Sequence, residues 1–324
     1  MPAQRASLAA DFGRRFVIFV DTEEEFDWSA PRRRDADAVT AIAMLPEGHA
    51  RFARFGVIPT YMVDYPIANN PASAAIVASL ADGGGAVIGA QLHPWVNPPL
   101  DEVMSNANSF VGNLPIEIER AKLRALTGRI TEALGARPAV YRAGRYGIGA
   151  NTAQLLVEEG YRLDVSIRSL FDYREDGGPD FSGYPIWPWW VDSGRRLLEL
   201  PLSAAYTGRW RQRGARLFPV SARFPLSRAI LSRAGLLQRV ALTPEGMPLH
   251  DVLSAINILI DEGVTLFSLS FHSPSLRPGN TPYVRDVSEL STFWKWWHAV
   301  LDLFARHGIE NASATDFIAA ADRN

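Results

Sequence analysis

In this chain of 324 residues, carboxylate, imidazole and guanidinium side chains stand directly after short apolar runs, where a parallel sheet would present them together. The run Phe16-Val17-Ile18-Phe19-Val20 leads straight into Asp21-Thr22-Glu23-Glu24-Glu25. In extended chain Asp21 and Glu23 project to the same side. Two carboxylates facing one pocket can divide the work, one holding a divalent metal and the other taking a proton from water. An acidic cluster in that place also serves commonly as a helix N-terminal cap. A second cluster, Gln91-Leu92-His93-Pro94-Trp95-Val96-Asn97-Pro98-Pro99, sets His93 in a rigid proline-rich loop, which suits a metal ligand because the loop fixes the imidazole. In Tyr141-Arg142-Ala143-Gly144-Arg145-Tyr146-Gly147, Arg142 can pair with a carboxylate and orient it, and the small residues beside Arg145 and Tyr146 leave room for a substrate. The last cluster, Ser268-Leu269-Ser270-Phe271-His272-Ser273-Pro274-Ser275, carries a second strand-end imidazole, and His272 is the candidate general acid.

These groups can meet only if the apolar runs form one sheet. Strands are expected at 16–20, 57–63, 86–92, 139–142, 162–166, 197–200 and 265–271, with a weaker run at 309–312. Helices are expected between them, at 38–55, 71–82, 116–134, 150–159, 249–262 and 288–307. Within 116–134, Ile116, Leu123, Leu126, Ile130 and Leu134 make one apolar stripe, Gly135 stops it and Pro138 lies just beyond. About seven strand-helix units, with no glycine-rich phosphate loop after the first strand, point to a distorted (β/α) barrel of about seven parallel strands in a single domain over 1–324. Two stretches, 171–190 and 209–243, break the rhythm and read as insertions or long loops. The first holds Trp187-Pro188-Trp189-Trp190, which either stacks on sugar rings or plugs the space under a loop. The remaining histidines, His49, His250, His298 and His307, fall in or beside helices and are assigned to structure or solvent.

Bulk properties narrow the field. A hydrophobic share of 47% with 21% charged residues is that of a globular protein with a sizeable core. A formal net charge of -2 offers no electrostatic argument for nucleic acid or an anionic membrane surface. The run Arg32-Arg33-Arg34 is followed at once by Asp35 and Asp37 and reads as a solvated loop, with contact to an anionic ligand as the alternative. With no cysteine, disulfides, thiolate metal sites and cysteine nucleophiles are excluded. The first fifteen residues lack a continuous apolar segment and no stretch approaches a membrane span, so a cytoplasmic location is expected.

Taken in order, the polar clusters resemble the motif series of the NodB-homology polysaccharide deacetylases, and within them the WalW-like branch, over about residues 16 to 304. Val20-Asp21-Thr22-Glu23 stands at the first motif, His93-Pro94-Trp95-Val96-Asn97-Pro98 at the second and Tyr141-Arg142-Ala143-Gly144-Arg145 at the third. Leu163-Asp164-Val165-Ser166 lies near the fourth, and Leu269-Ser270-Phe271-His272-Ser273-Pro274 stands at the fifth. The resemblance implies a metal-dependent hydrolase that removes an acetyl group from a carbohydrate, with zinc, nickel or cobalt as the divalent metal. It implies Asp21 as base, Arg142 orienting it, His272 as acid and Asp164 tuning His272. Three departures matter. The family's second aspartate is Thr22, which leaves Glu23, or Asp21 itself, as the acidic ligand; its second histidine is Asn97, a weaker oxygen donor; and Gln91 stands where related sequences can carry a histidine. The implied ligand set is Glu23, His93 and Asn97, with loss of the metal as the alternative. In that case the barrel is a glycan-binding pseudoenzyme that holds its ligand through Trp95, Trp187 and Trp189. An allantoinase-like hydrolase of small amides or cyclic ureides is the other reading, since similar barrels host that chemistry.

Overall fold

The run Arg15–Thr22 (β1) is buried along almost its whole length, as a strand covered on both faces must be. In the computed structural model, which describes residues 4–221, 224 and 226–323, β1 lies one strand in from the edge of a sheet. It pairs in parallel with Thr60–Val63 (β2) on one side and Leu266–His272 on the other. Beyond β2 the parallel order continues through Val87–Leu92 (β3), Val140–Ala143 (β4), Leu163–Asp164 (β5) and Leu198–Glu199 (β6), and Leu266–His272 is β7. Trp189–Trp190 then pairs antiparallel with β6, and Gln4–Arg5 antiparallel with Trp189–Trp190. The weak run expected at 309–312 is present as Glu310–Asn311, which pairs with the start of β1.

The sheet is therefore curled and mixed, a half-barrel in place of the expected distorted barrel of about seven parallel strands. The reason lies in β5 and β6, which are only two residues long and cannot carry a continuous ladder round to β7. The remaining gap is crossed at Ser203, whose N–H donates to Ser268 O at 3.1 Å and whose Oγ accepts from Ser268 N at 2.9 Å. The antiparallel hairpin of Ala204–Thr207 with Gln238–Ala241 continues from there. The second strand of that hairpin falls in the stretch 209–243, as do the helices Gly214–Ser221 and Ser227–Arg233, while 222, 223 and 225 lie outside the described residues. The stretch 171–190 is mostly loop and contributes Phe181 and Trp189 to a small apolar cluster.

Strand alternation sorts the side chains. Val17, Phe19, Met62, Val140, Leu163, Val165, Leu198 and Leu266 point into the curl and pack on the C-terminal helix Ala314–Asp322, whose Phe317 and Ala320 are fully buried. That helix plugs the end of the curl where the strands begin. The outward faces pack on helices Ile116–Leu134 and Val287–Arg306. Gly135 ends the former in a left-handed conformation (φ 73°), as a helix-terminating glycine does. On the latter, Phe293, Trp294, Trp296 and Trp297 are buried and Lys295 is exposed, and the Phe271 ring of β7 lies 5.5 Å from Trp297. Among the described residues no helix is long and apolar enough to cross a membrane.

On the outward face, Asp164 and Glu199 are register partners and both are buried. Burial, only partly offset by hydrogen bonds from Ser166, pushes the Asp164 carboxyl up to about 6. Burial and the neighbouring Asp164 hold Glu199 well above the usual carboxylate range. A group whose pKa is raised by folding adds stability below its unfolded value, and that contribution is lost as pH rises through the folded value. The stability of the wild type relative to Asp164→Asn should therefore fall between about pH 4 and about pH 7, by on the order of 1–3 kcal/mol in urea unfolding. A difference that stays level over that interval would show that the pair does not titrate.

Candidate active site

Where the strands end, the inward row changes from apolar to polar. Asp21 of β1 and His272 of β7 are register partners, and Gln91 of β3 is the register partner of Arg142 of β4. Arg142 Nη1 donates to Asp21 Oδ1 at 2.7 Å, and both side chains are buried. The other Asp21 oxygen lies 3.5 Å from His272 Nε2. On its far side His272 Nδ1 meets Glu245 Oε2 at 2.6 Å, while Glu245 Oε1 accepts from the His272 backbone N–H at 3.1 Å and from Ser275 Oγ at 2.6 Å. Burial alone would lower the imidazole, but the carboxylates of Glu245, Glu23 and Asp21 outweigh it and push His272 up to about 10. His272 is thus an imidazolium, a proton donor held beside a carboxylate.

A second set of groups forms one wall. His93 Nδ1 meets Glu24 Oε2 at 2.8 Å, and the Trp95 indole N–H donates to Glu24 Oε1 at 2.8 Å. Trp95 also stacks on the His93 ring with centroids 4.3 Å apart. Asp64, which caps the helix Tyr65–Asn69 by accepting from Ile67 N at 2.9 Å, accepts the Glu24 backbone N–H at 2.7 Å. Burial lowers His93 to about 4, so the ring is neutral. With Nδ1–H directed at Glu24, the Nε2 lone pair faces Gln91 Nε2 at 3.3 Å and Glu23 Oε2 at 3.6 Å. Gln91 Nε2 donates to Glu23 Oε2 at 3.0 Å. Burial, followed by the like charges around them, raises Glu23 and Asp64 well above the carboxylate range, and burial raises Glu24.

Two triads bring possible ligand atoms within 4.8 Å of one another, Asp21-Glu23-His272 and Glu24-Asp64-His93. In the first, His272 is protonated, bound to Glu245 through Nδ1 and facing Asp21 Oδ2 through Nε2; in the second, the carboxylates already accept from Trp95, Ile67 and backbone. The unused acceptors are Glu23 Oε1 and Gln91 Oε1, both buried without a partner; the Gln91 atom that faces His93 Nε2 is its Nε2, at 3.3 Å, so the amide must turn to bring its oxygen there. A buried acceptor left unsatisfied costs about 1–3 kcal/mol. With the amide turned, Glu23, Gln91 and His93 would offer two oxygens and an imidazole nitrogen, a donor set that fits a divalent cation.

These residues line a cavity of about 200 Å³ that opens where the strands end and also takes in Arg145, Tyr146 and Trp28. Four expectations are corrected. Asn97 does not line the cavity with the other expected ligands: its Nδ2 donates to the carbonyls of Pro98 at 2.7 Å and Lys122 at 2.9 Å, fixing the loop to the helix Ile116–Leu134. Asp164 does not tune His272: it pairs in register with Tyr141, one residue before Arg142, and so sits on the opposite face, bound to Ser166; Glu245 takes that role. Trp187 and Trp189 do not line the cavity. Trp189 is buried in the cluster with Ile167 and Phe181, and Trp187 packs edge-on against it. Trp95 does line the cavity, but its ring and N–H hold His93 and Glu24.

Sequence reasoning missed Glu24, Asp64, Gln91 as a donor, and Glu245. Asp64 and Glu24 carried a visible signal, a carboxylate just past an apolar run. Glu245 follows Gln238–Ala241 by a few residues, but that strand is short and lies in the aperiodic basic stretch.

No family model and no curated protein matches this chain. Its fold is similar to that of solved structures. A protein from Mycobacterium smegmatis assigned as a polysaccharide deacetylase superposes with a TM-score of 0.58 at 18% identity, over 100% of this chain and 95% of that one. The PuuE allantoinase superposes with a TM-score of 0.51 at 15% identity, over 96% of this chain and 90% of that one. At these identities the likeness is one of fold, the curled α/β sheet. Zinc titration of the purified, chelator-treated protein tests the ligand set. His93→Ala and Glu24→Gln should weaken zinc binding about 10- to 100-fold, whereas Asn97→Ala should bind as the wild type does while lowering the unfolding temperature. Equal weakening in Asn97→Ala would return that residue to the site.

Proposed function

We propose that this chain is a hydrolase that removes an acetyl group from a carbohydrate with the help of a divalent cation. One observation carries the reading: a buried carboxylate is held by a guanidinium on one oxygen and faces a carboxylate-backed imidazolium on the other, at the mouth of a cavity. Hydrolysis of an amide or ester needs this division, one group to accept a proton from water and a second to give one to the leaving nitrogen or oxygen. Asp21 is the acceptor. Its Oδ2 is the oxygen that makes no hydrogen bond, because Arg142 engages Oδ1 and fixes the plane of the carboxylate. His272 is the donor, and Glu245 keeps Nδ1–H engaged so that Nε2–H points at the reacting centre.

Glu23, His93 and Gln91 would hold the cation, which when bound polarises the acetyl carbonyl and makes water more acidic. Glu24 orients the His93 ring through Nδ1, and Trp95 excludes water from the back of that ring. The similar fold of a protein assigned as a polysaccharide deacetylase supports this reading, and the fold of PuuE allantoinase keeps amide hydrolysis within the same architecture.

The Gln91–Glu23 hydrogen bond favours a second reading, in which the amide stands in for the cation and the cavity binds a glycan without turnover. Acetate release from acetylated chitooligosaccharides in zinc- or cobalt-supplemented buffer separates the two. The hydrolase reading expects release, and expects Asp21→Asn and His272→Ala each to lower it by at least ~100-fold with the fold retained by circular dichroism. No release under any metal, with retained sugar binding, establishes the binding protein; near-normal rates in either variant remove that residue from the chemistry.

A further inference from the structure

The cavity wall carries arginines that this chemistry does not use. Arg32, Arg145 and Arg168 all line it, half-buried. Their hydrogen bonds go to neutral acceptors. Arg32 Nη1 reaches the carbonyls of Asp27 and Ala30, each at 3.4 Å; Arg145 Nη1 reaches Asn106 Oδ1 at 2.8 Å and Ser109 Oγ; Arg168 Nη1 reaches the Tyr173 hydroxyl at 3.5 Å. Among the described residues none of the three forms an ion pair with a carboxylate. Glu23 and Glu24 attract Arg32 from a distance, and Asp176, exposed on the same rim, does so for Arg145, while Arg32 and Arg145 oppose each other's charge.

Each guanidinium lies on an aromatic bed, Arg32 4.4 Å from the Phe26 centroid, Arg145 4.0 Å from Phe110 and Arg168 3.9 Å from Phe171. A guanidinium stacked by its face keeps its N–H edge for a ligand. Arg32 Nε and Arg168 Nε are buried with no acceptor, and so are Nε and Nη2 of Arg142. A neutral sugar offers hydroxyls to such donors but leaves three guanidinium groups without an ion-pair partner in a partly dry cavity. A carboxylate or phosphate meets both needs, since guanidinium matches either group with two parallel hydrogen bonds.

We propose that the substrate bears an anionic substituent, a carboxylate or a phosphate, on the acetylated sugar, and that Arg32, Arg145 and Arg168 bind it. The acetyl group in this statement rests on the deacetylase reading; the anion does not.

Calorimetric binding of N-acetylglucosamine, N-acetylmuramic acid and N-acetylglucosamine 6-phosphate to the full chain tests it, because the three probes share a sugar and differ in charge. At low salt at least one acidic sugar should bind about tenfold or more tightly than the neutral one, and the preference should fade near 0.5 M salt. Whichever acidic sugar leads identifies the anion. Arg145→Gln and Arg168→Gln should each cut the preference at least about threefold. Arg32→Gln serves as the third variant should thermal unfolding show that either of these fails to fold. Equal binding of all three probes, or a preference that survives the folded variants, overturns the proposal. Acetate release is followed in parallel. Tight binding of an acidic sugar without release upholds the anion site and removes the deacetylase reading; release at equal rates from neutral and acidic sugars does the reverse.

Discussion

Arg142 and Asp21 meet at 2.7 Å although they sit on β4 and β1, three strand steps apart in the sheet. In a flat sheet those strands would be roughly 14 Å apart, beyond the contact seen. The ion pair spans the concave side and can exist only while the sheet is curled. Both partners are buried, so loss of either leaves an uncompensated charge in the interior, at a cost of about 3–5 kcal/mol. Curvature and site are thus one condition. The apolar residues lower in the same strands set the curl by packing around the C-terminal helix, and the ion pair holds it at the open end.

Charge is distributed unevenly around that pair. On one side His272 and Glu245 form a matched pair. On the other, Glu23, Glu24 and Asp64 crowd a region from which water is excluded, where His272 relieves Glu23 and Arg32 relieves Glu24 without outweighing burial. Neutral His93 adds a lone pair and no positive charge. Gln91 makes the difference between this site and one with another imidazole: its N–H₂ offers Glu23 a partial positive charge where a ligand nitrogen would offer none. The amide can turn its oxygen inward instead, so the same residue is compatible with a cation and with none. In the proposed hydrolase, affinity for metal would be set by how much the cation gains over a hydrogen bond already made, which would place Gln91 at the point where catalysis and simple binding diverge.

Much of this was legible beforehand, and the reasons differ by element. Strands β1, β3 and β7 could be read because each is a long apolar run buried on both faces, and the groups at their ends, Asp21, His93 and His272, converge. Helix Ile116–Leu134 could be read from its stripe and its terminal glycine. Closure could not, because β5 and β6 supply two paired residues each and nothing in their composition marks where a ladder stops. Asp164 was misplaced by a single residue of register. In a strand that reverses the face, and the same alternation that makes Arg142 a site residue puts Asp164 among the helices. Asn97 was misplaced for a different reason: in a loop no period governs direction, and its amide is used by the carbonyls that anchor the loop. Trp187 and Trp189 follow from composition alone, which does not say whether an aromatic face is open.

Gly144 ties the two halves of the site together. A Cβ there would lie 2.2 Å from His93 Cδ2, so the closeness of the imidazole to the end of β4 excludes any side chain at that position. The chain then turns through Arg145 and Tyr146 with φ of 57° and 60°, a left-handed conformation that costs non-glycine residues about 1–3 kcal/mol each. Compensation is visible on both. Arg145 is bound to Asn106 and Ser109 and stacked on Phe110, and Tyr146 lies parallel to Tyr173 at 5.9 Å. The strained turn aims both side chains over the cavity, where an ordinary extended exit from β4 would have carried alternate residues to opposite faces. The position of the His93 imidazole therefore dictates the backbone that carries Arg145, and a displacement of His93 would be felt at that guanidinium.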